Sequence, residues 1–114
     1  ELAPYGSLAY LLYSDKATLK WPERWVIGAD IMRGLMYLHS RNILHRDVKS
    51  ANVLIFDGRA PHQYNAKLTD FGLAAVKSES ASLHTQTSGG TLNWQAPENF
   101  DTETGLTPAS DMYS

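Results

Sequence analysis

Apolar residues recur at helical spacing in two early stretches of the chain, and the period then shortens. Ser7 can cap a short helix in which Leu8, Leu11 and Leu12 repeat at helical intervals. The polar connection Asp15 to Leu19 separates it from a longer helix opened by Trp21-Pro22-Glu23. Proline suits a first turn, and glutamate favours the positive end of the helix dipole. The predicted buried stripe of this second helix is Trp25, Ala29, Met32, Leu35 and Leu38, with Ile31 alongside. Gly28 and Gly34 each weaken a helix by about 1 kcal/mol relative to alanine. Both are therefore expected to pack closely against a neighbour that offsets the loss.

After His39 the pattern becomes extended. Val53-Leu54-Ile55-Phe56, ended by Asp57-Gly58, predicts one strand, and Ala66-Lys67-Leu68-Thr69 predicts a second. The polar segment Asp57 to Asn65 between them is longer than a tight turn and reads as a surface insertion. The Ser/Thr-rich stretch Ser78 to Ser88 holds few large apolar residues and predicts an exposed loop. Trp94 to Phe100, around Pro97, predicts a turn into a short helix, and Thr107-Pro108 opens another.

Composition narrows the class without naming it. Of 114 residues, 43% are hydrophobic and 19% charged, too apolar for a disordered segment. A net charge of −2 gives no electrostatic reason to expect nucleic acid or an anionic membrane as partner. No apolar run approaches the roughly 20 residues of a membrane span. The start, Glu1-Leu2-Ala3-Pro4, resembles neither a signal nor a transit peptide. Absence of cysteine excludes disulfides, thiolate metal sites and cysteine nucleophiles within the chain.

Chemistry concentrates in three clusters. His45-Arg46-Asp47-Val48-Lys49-Ser50-Ala51-Asn52 lies between the long helix and the first strand. Asp70-Phe71-Gly72 follows the second strand directly, and Gly90-Thr91-Leu92-Asn93-Trp94-Gln95-Ala96-Pro97-Glu98 lies beyond the polar loop. Asp-Phe-Gly alone is a weak signal; an Asp with an Asn five residues on, followed by a strand pair, Asp-Phe-Gly and Ala-Pro-Glu in this order, is a strong one. Their chemistry suits phosphoryl transfer, which needs a positioned hydroxyl and neutralised phosphate charge. Asp47 can orient a hydroxyl and accept its proton, and Lys49 can bring a cation to the transferring phosphate. Asn52 and Asp70 offer hard oxygen ligands of the kind Mg²⁺ takes. Gly72 gives the backbone after Asp70 freedom to reposition that carboxylate.

With these motifs the chain resembles the eukaryotic protein kinases over essentially its whole length. The resemblance implies an α+β protein-kinase-like fold: a partial large (C-terminal) lobe, mainly helical with a short β-strand pair. Residues 1–114 would then run from the end of the hinge through the catalytic loop, Asp-Phe-Gly and activation segment to the start of the central helix. The N-lobe, with its Gly-rich loop, strand Lys and helix Glu, would precede Glu1, and the remaining C-terminal helices would follow Ser114. Taken alone, these 114 residues are expected to be inactive and marginally stable.

The same resemblance assigns residues. Asp47, Lys49, Asn52 and Thr91 would be catalytic, the Thr91 hydroxyl bridging Asp47 and Lys49. ATP would be bound by Glu1, Ala3, Ser7, Lys49, Asn52, Leu54 and Asp70, and Mg²⁺ by Asn52 and Asp70. Glu1 and Ala3 fall where the kinase backbone meets adenine, Ser7 near the ribose, and Leu54 beneath the adenine ring. His45, despite its place beside Asp47, would be structural and pack under Phe71. His39, His62 and His84 lack metal-ligand spacing and read as surface or packing residues. Asp111 would accept backbone hydrogen bonds from the catalytic loop.

Lys49 and Thr91 resemble the serine/threonine pattern. Trp94 before Ala96, Gly34-Leu35-Met36-Tyr37-Leu38-His39 and Ser110-Asp111-Met112-Tyr113-Ser114 resemble the tyrosine-kinase-like group. Arg46 implies regulation by phosphorylation, by an upstream kinase or by autophosphorylation in trans. Thr87 is the favoured site, with Thr85 and Ser88 as neighbours. The expected partner is a protein substrate, and the expected location is the cytoplasm, or the cytoplasmic side of a membrane for a receptor-type protein. Two alternatives stand beside this reading. One is a non-catalytic kinase-like scaffold; the other is a small-molecule phosphotransferase, against which the activation segment ending in Ala96-Pro97-Glu98 argues.

Overall fold

The structure, a computed structural model, describes residues 2–14, 19–71, 74–76, 91–100 and 107–114. Among the described residues, three α-helices, α1 (Leu8–Tyr13), α2 (Trp21–Ser40) and α3 (Pro108–Tyr113), accompany four strands: β1 (Ile43–Leu44), β2 (Val53–Asp57), β3 (Tyr64–Leu68) and β4 (Ala75–Val76). The strands form two antiparallel pairs, β1 with β4 and β2 with β3. The sequence predicts a single pair. The second is missed because two-residue strands carry no measurable periodicity.

Two compact units emerge: residues 1–34 with 50–69, and residues 35–49 with 70–114. The first is an apolar cluster. Leu11, Leu19, Ile27, Val53, Ile55, Tyr64 and Ala66 are buried together, with Tyr5, Leu8, Ile31 and Leu68 packed against them. Period-2 alternation puts Val53 and Ile55 of β2 inward together with Tyr64 and Ala66 of β3. On the outer face Lys67 lies over the Phe56 ring at 4.4 Å. The hairpin is longer than the sequence predicts, because Asp57 pairs with Tyr64 and Phe56 with Asn65. Gly58 is required at its turn: a Cβ there would lie 2.7 Å from the His62 carbonyl and the Tyr64 amide.

Ser7 caps α1 as the sequence predicts, its Oγ accepting from Tyr10 N at 3.2 Å. Residues just before it run along β2. Tyr5 N donates to Ile55 O, Ile55 N donates to Gly6 O, and Ser7 bridges Leu54. From α2, Asp30 reaches β3, accepting from Ala66 N at 2.9 Å and Asn65 Nδ2 at 3.2 Å. It thereby satisfies polar groups that the hairpin edge would otherwise leave open.

The stripe of α2 is in a different phase from the predicted one. Ile27, Leu35 and Leu38 are buried with Ile31 partly so, whereas Trp25, Ala29 and Met32 are exposed, Trp25 at 75%. Residues 25, 29 and 32 lie roughly 180° around the helix from 27, 31 and 34. Both sets have the same period, so periodicity finds the helix without choosing between its two apolar faces. The glycines divide accordingly. A Cβ on Gly34 would meet Leu68 Cδ1 at 3.0 Å, the predicted close approach, while one on Gly28 meets nothing within 4 Å.

In the second unit the predicted short helix around Pro97 is a 3-10 helix, Pro97–Phe100, preceded by another at Leu92–Trp94. Thr107-Pro108 does open α3, and Ser110 Oγ accepts from Thr107 N at 3.4 Å. Among the described residues no helix is long and apolar enough to cross a membrane.

Candidate active site

The second unit is organised by a buried carboxylate. Asp111, on α3 and only 4% exposed, accepts from His45 N and Arg46 N, each at 2.8 Å, and from His39 Nε2 at 2.9 Å. The two backbone bonds fall where the chain leaves β1 and Arg46 takes φ +70°, a left-handed conformation L residues rarely adopt. Holding both amides with one carboxylate fixes the turn that presents Asp47. His45 is fully buried, its ring centroid 5.5 Å from that of Phe71, and its Nδ1 accepts from Asp47 N at 3.3 Å. That geometry suits the packing role expected of it. His39 does more than surface or packing residues do, and its spacing carried no sign of this. Its partner lies 72 residues away.

Beyond the turn, Asp47, Lys49 and Thr91 close a triangle. Asp47, 8% exposed, takes the Thr91 backbone N–H at 3.1 Å and the Thr91 hydroxyl at 3.0 Å on Oδ1. Lys49 Nζ donates to Asp47 Oδ2 at 2.8 Å and to Thr91 Oγ1 at 2.6 Å. Charge-assisted bonds of this kind are the strong class, and here they tie the loop to a residue 44 positions along the chain. A concavity lined by Arg46, Asp47, Thr91, Gln95 and Asn99 opens beside the triangle. On its other side Ser110 Oγ donates to Glu98 Oε1 at 3.2 Å, so the Ala-Pro-Glu segment is pinned to α3 as well.

The remaining predicted residues are placed as follows. In the first unit, Asn52 is buried and ends the 3-10 turn Ser50–Asn52, and its carbonyl accepts from Thr69 N at 2.9 Å. Leu54 is half-buried on β2, and the bridge to Ser7 brings these two expected nucleotide contacts together. Ala3 heads a tight turn in which its carbonyl accepts from Gly6 N. In the second unit, Asp70 is exposed and left-handed at φ +62°. Glu1, Gly72, Thr85, Thr87 and Ser88 lie outside the described residues. As donors, an exposed carboxylate at Asp70 and a carboxamide at Asn52 match the hard oxygen preference of Mg²⁺, and Lys49 matches a phosphate.

Comparison with known proteins gives the family. The chain matches the protein kinase domain family over residues 1–114, and it belongs to that family. It is 42% identical, over its full length, to the probable serine/threonine-protein kinase drkD of Dictyostelium discoideum, covering 8% of that protein. It is 40% identical over 88% of its length to the receptor-like cytosolic serine/threonine-protein kinase RBK1 of Arabidopsis thaliana, covering 21% of it. With PTI1-like tyrosine-protein kinase 1 of the same plant it shares 37% identity over its full length and 33% of the relative. The chain thus spans between 8% and 33% of the length of these three relatives.

Proposed function

We propose that the protein containing this chain is an ATP-dependent kinase that phosphorylates Ser and Thr hydroxyls of protein substrates. The observation that carries this is the triangle of Asp47, Lys49 and Thr91, set by the turn that Asp111 holds. In the reaction the substrate hydroxyl oxygen bonds to the γ-phosphorus, the bond from that phosphorus to the bridging oxygen breaks, and ADP leaves. Asp47 orients the hydroxyl and takes its proton, which is why its carboxylate must be fixed before substrate arrives. Lys49 already holds its ammonium against the Asp47 carboxylate and offsets charge on the transferring phosphate. Thr91 joins the peptide-docking segment to both. Asn52 and Asp70 would hold Mg²⁺, which neutralises phosphate charge when bound, and Ala3, Ser7 and Leu54 would receive the nucleoside of ATP.

Two of the three relatives named above are serine/threonine-protein kinases, which supports the same hydroxyl class, while the third is named a tyrosine-protein kinase. The chain supplies the catalytic and activation segments of a domain completed by other parts of the protein, and by itself it is inactive. Thr87 is its regulatory phosphorylation site and Arg46 the cation that would meet the phosphate. Its place is the cytoplasm or the cytoplasmic face of a membrane, and its role is signalling.

Transfer of labelled phosphate from ATP to a generic protein substrate by the full-length protein tests the reading. Asp47→Asn should lower kcat by about 10²–10⁴-fold, and Asp70→Ala should abolish Mg-ATP binding. Unchanged turnover by Asp47→Asn would overturn the assignment. Robust turnover by the 114 residues alone would overturn the partial-domain reading.

A further inference from the structure

Ala3, Pro4, Tyr5 and Gly6 make a tight turn, closed by Gly6 N on the Ala3 carbonyl at 3.1 Å, with Gly6 left-handed at φ +67°. Two backbone bonds lay this turn along β2: Tyr5 N donates to Ile55 O at 3.3 Å, and Ile55 N donates to Gly6 O at 2.9 Å. Both end on one residue of β2, so by themselves they leave the turn able to pivot about Ile55. After the turn, the bridge between Ser7 and Leu54 steadies the chain. On the other side, the Tyr5 side chain supplies a second anchor. Its hydroxyl reaches Asp57 Oδ1 at 3.0 Å, two residues further along β2, and its ring stands edge-on to Tyr64 with centroids 5.1 Å apart. Asp57 and Tyr64 pair across the hairpin, so both contacts fall on one rung, and Tyr64 is buried.

We propose that Tyr5 is a positioning residue for the nucleotide: through Asp57 and Tyr64 it fixes the Ala3–Gly6 turn on β2, and with it the residues that would receive the nucleoside, Ala3, Ser7 and Leu54. The proposal rests on the kinase reading above, and it extends that reading to a side chain outside those contacts. A turn fixed before ATP arrives need not be ordered on binding, which lowers the cost of forming the complex. The gain is the same in the ground and transition states, so it belongs in Kd and KM for ATP rather than in kcat.

The test uses the full-length protein, with Mg-ATP affinity read by calorimetry beside the steady-state constants. Tyr5→Ala should weaken Mg-ATP binding about tenfold, raise KM for ATP to match, and change kcat less than twofold. It should also speed hydrogen exchange at the Gly6 amide. Tyr5→Phe keeps the ring and loses the hydroxyl, and should weaken binding about threefold, the size of one hydrogen bond. Asp57→Ala should do the same, and adding it to Tyr5→Phe should cost nothing more, because each removes the same bond. If Tyr5→Ala does not yield folded protein, Tyr5→Leu serves in its place. Unchanged affinity in the ring-free variant would sink the proposal alone, as would a loss confined to kcat or losses that multiply in the double variant. An unsubstituted protein that binds no ATP would instead sink the kinase reading, and the proposal with it.

Discussion

The two units of this chain are built on opposite materials. The first is an apolar cluster in which a helix and a hairpin interleave, with Ile55 at 0% exposure and Val53 at 1%. The second also buries Leu35, Leu38 and Leu44, but its centre is polar: His45 is at 0%, Asp111 at 4%, Ser110 at 6% and Asp47 at 8%. Apolar packing is non-directional and holds shape by volume. Buried carboxylates hold it by direction, since each donor must meet an oxygen at the right angle and an unmet one is costly. On the reading proposed above, Asp47 takes up its proton in the second kind of environment, where a shift in orientation is opposed by several bonds together.

The largest effect should come from cutting the apolar unit. Ile55→Ala deletes a fully buried side chain from β2 and should cost about 2–5 kcal/mol, measured by chemical denaturation of the protein carrying it. A cost below about 1 kcal/mol would mean that the cluster collapses around the gap, and the contrast with the polar unit would weaken. In the polar unit, Asp111→Asn keeps size and one oxygen but turns an NH₂ toward a backbone N–H. One of the His45 or Arg46 amides then loses its acceptor, for a cost of about 1–3 kcal/mol. The loss in activity should be the larger consequence there, and activity left intact would show that the Arg46 turn does not depend on this carboxylate.

Legibility divides along the same line. The helix and hairpin of the first unit follow from periodicity, and only their phase and ends do not. Trp25 and Ile27 are both apolar, and nothing local says which of them faces β2 and β3. The strand ends at Asp57 and Tyr64 look polar or ambiguous alone and become strand only by pairing with each other. In the second unit, periodicity is silent about Asp47, Lys49 and Thr91; motif order points to them, and the fold then joins residues 42 and 44 positions apart. His39 was out of reach, because a lone histidine at a helix end has no pattern until its partner on α3 is in place.

The two glycines of α2 offer a smaller test within the first unit. Gly28→Ala meets open space and should raise stability by about 1 kcal/mol, the helix-propensity difference. Gly34→Ala gains the same propensity but sets its methyl 3.0 Å from Leu68 Cδ1, so its net gain should be smaller. Denaturation midpoints of the two variants decide it. Equal gains would mean that Leu68 yields freely, and no gain at Gly28 would mean that another part of the protein covers that face of α2.

The smallest effect lies at the margin of the apolar unit, where a polar contact is added to a packed ring. Tyr5 stands edge-on to Tyr64 with centroids 5.1 Å apart, and its hydroxyl donates to Asp57 Oδ1 at 3.0 Å. That hydrogen bond, and next the charge of the same carboxylate, raise the Tyr5 pKa above 10.0. Because the folded value is the raised one, the bond's contribution is fully present below pH 10.0 and is lost as the pH climbs through the folded value. Subtracting the tyrosinate absorbance titration of Tyr5→Phe from that of the unsubstituted protein isolates this one ring. Its midpoint should lie above 10.0 and fall back toward it in Asp57→Asn, where an amide replaces the charged acceptor. A midpoint at or below 10.0 would mean that the exposed carboxylate is screened or turned away in solution. Polar contacts would then shape only the buried centre of the second unit and leave the edge of the hairpin to its apolar packing.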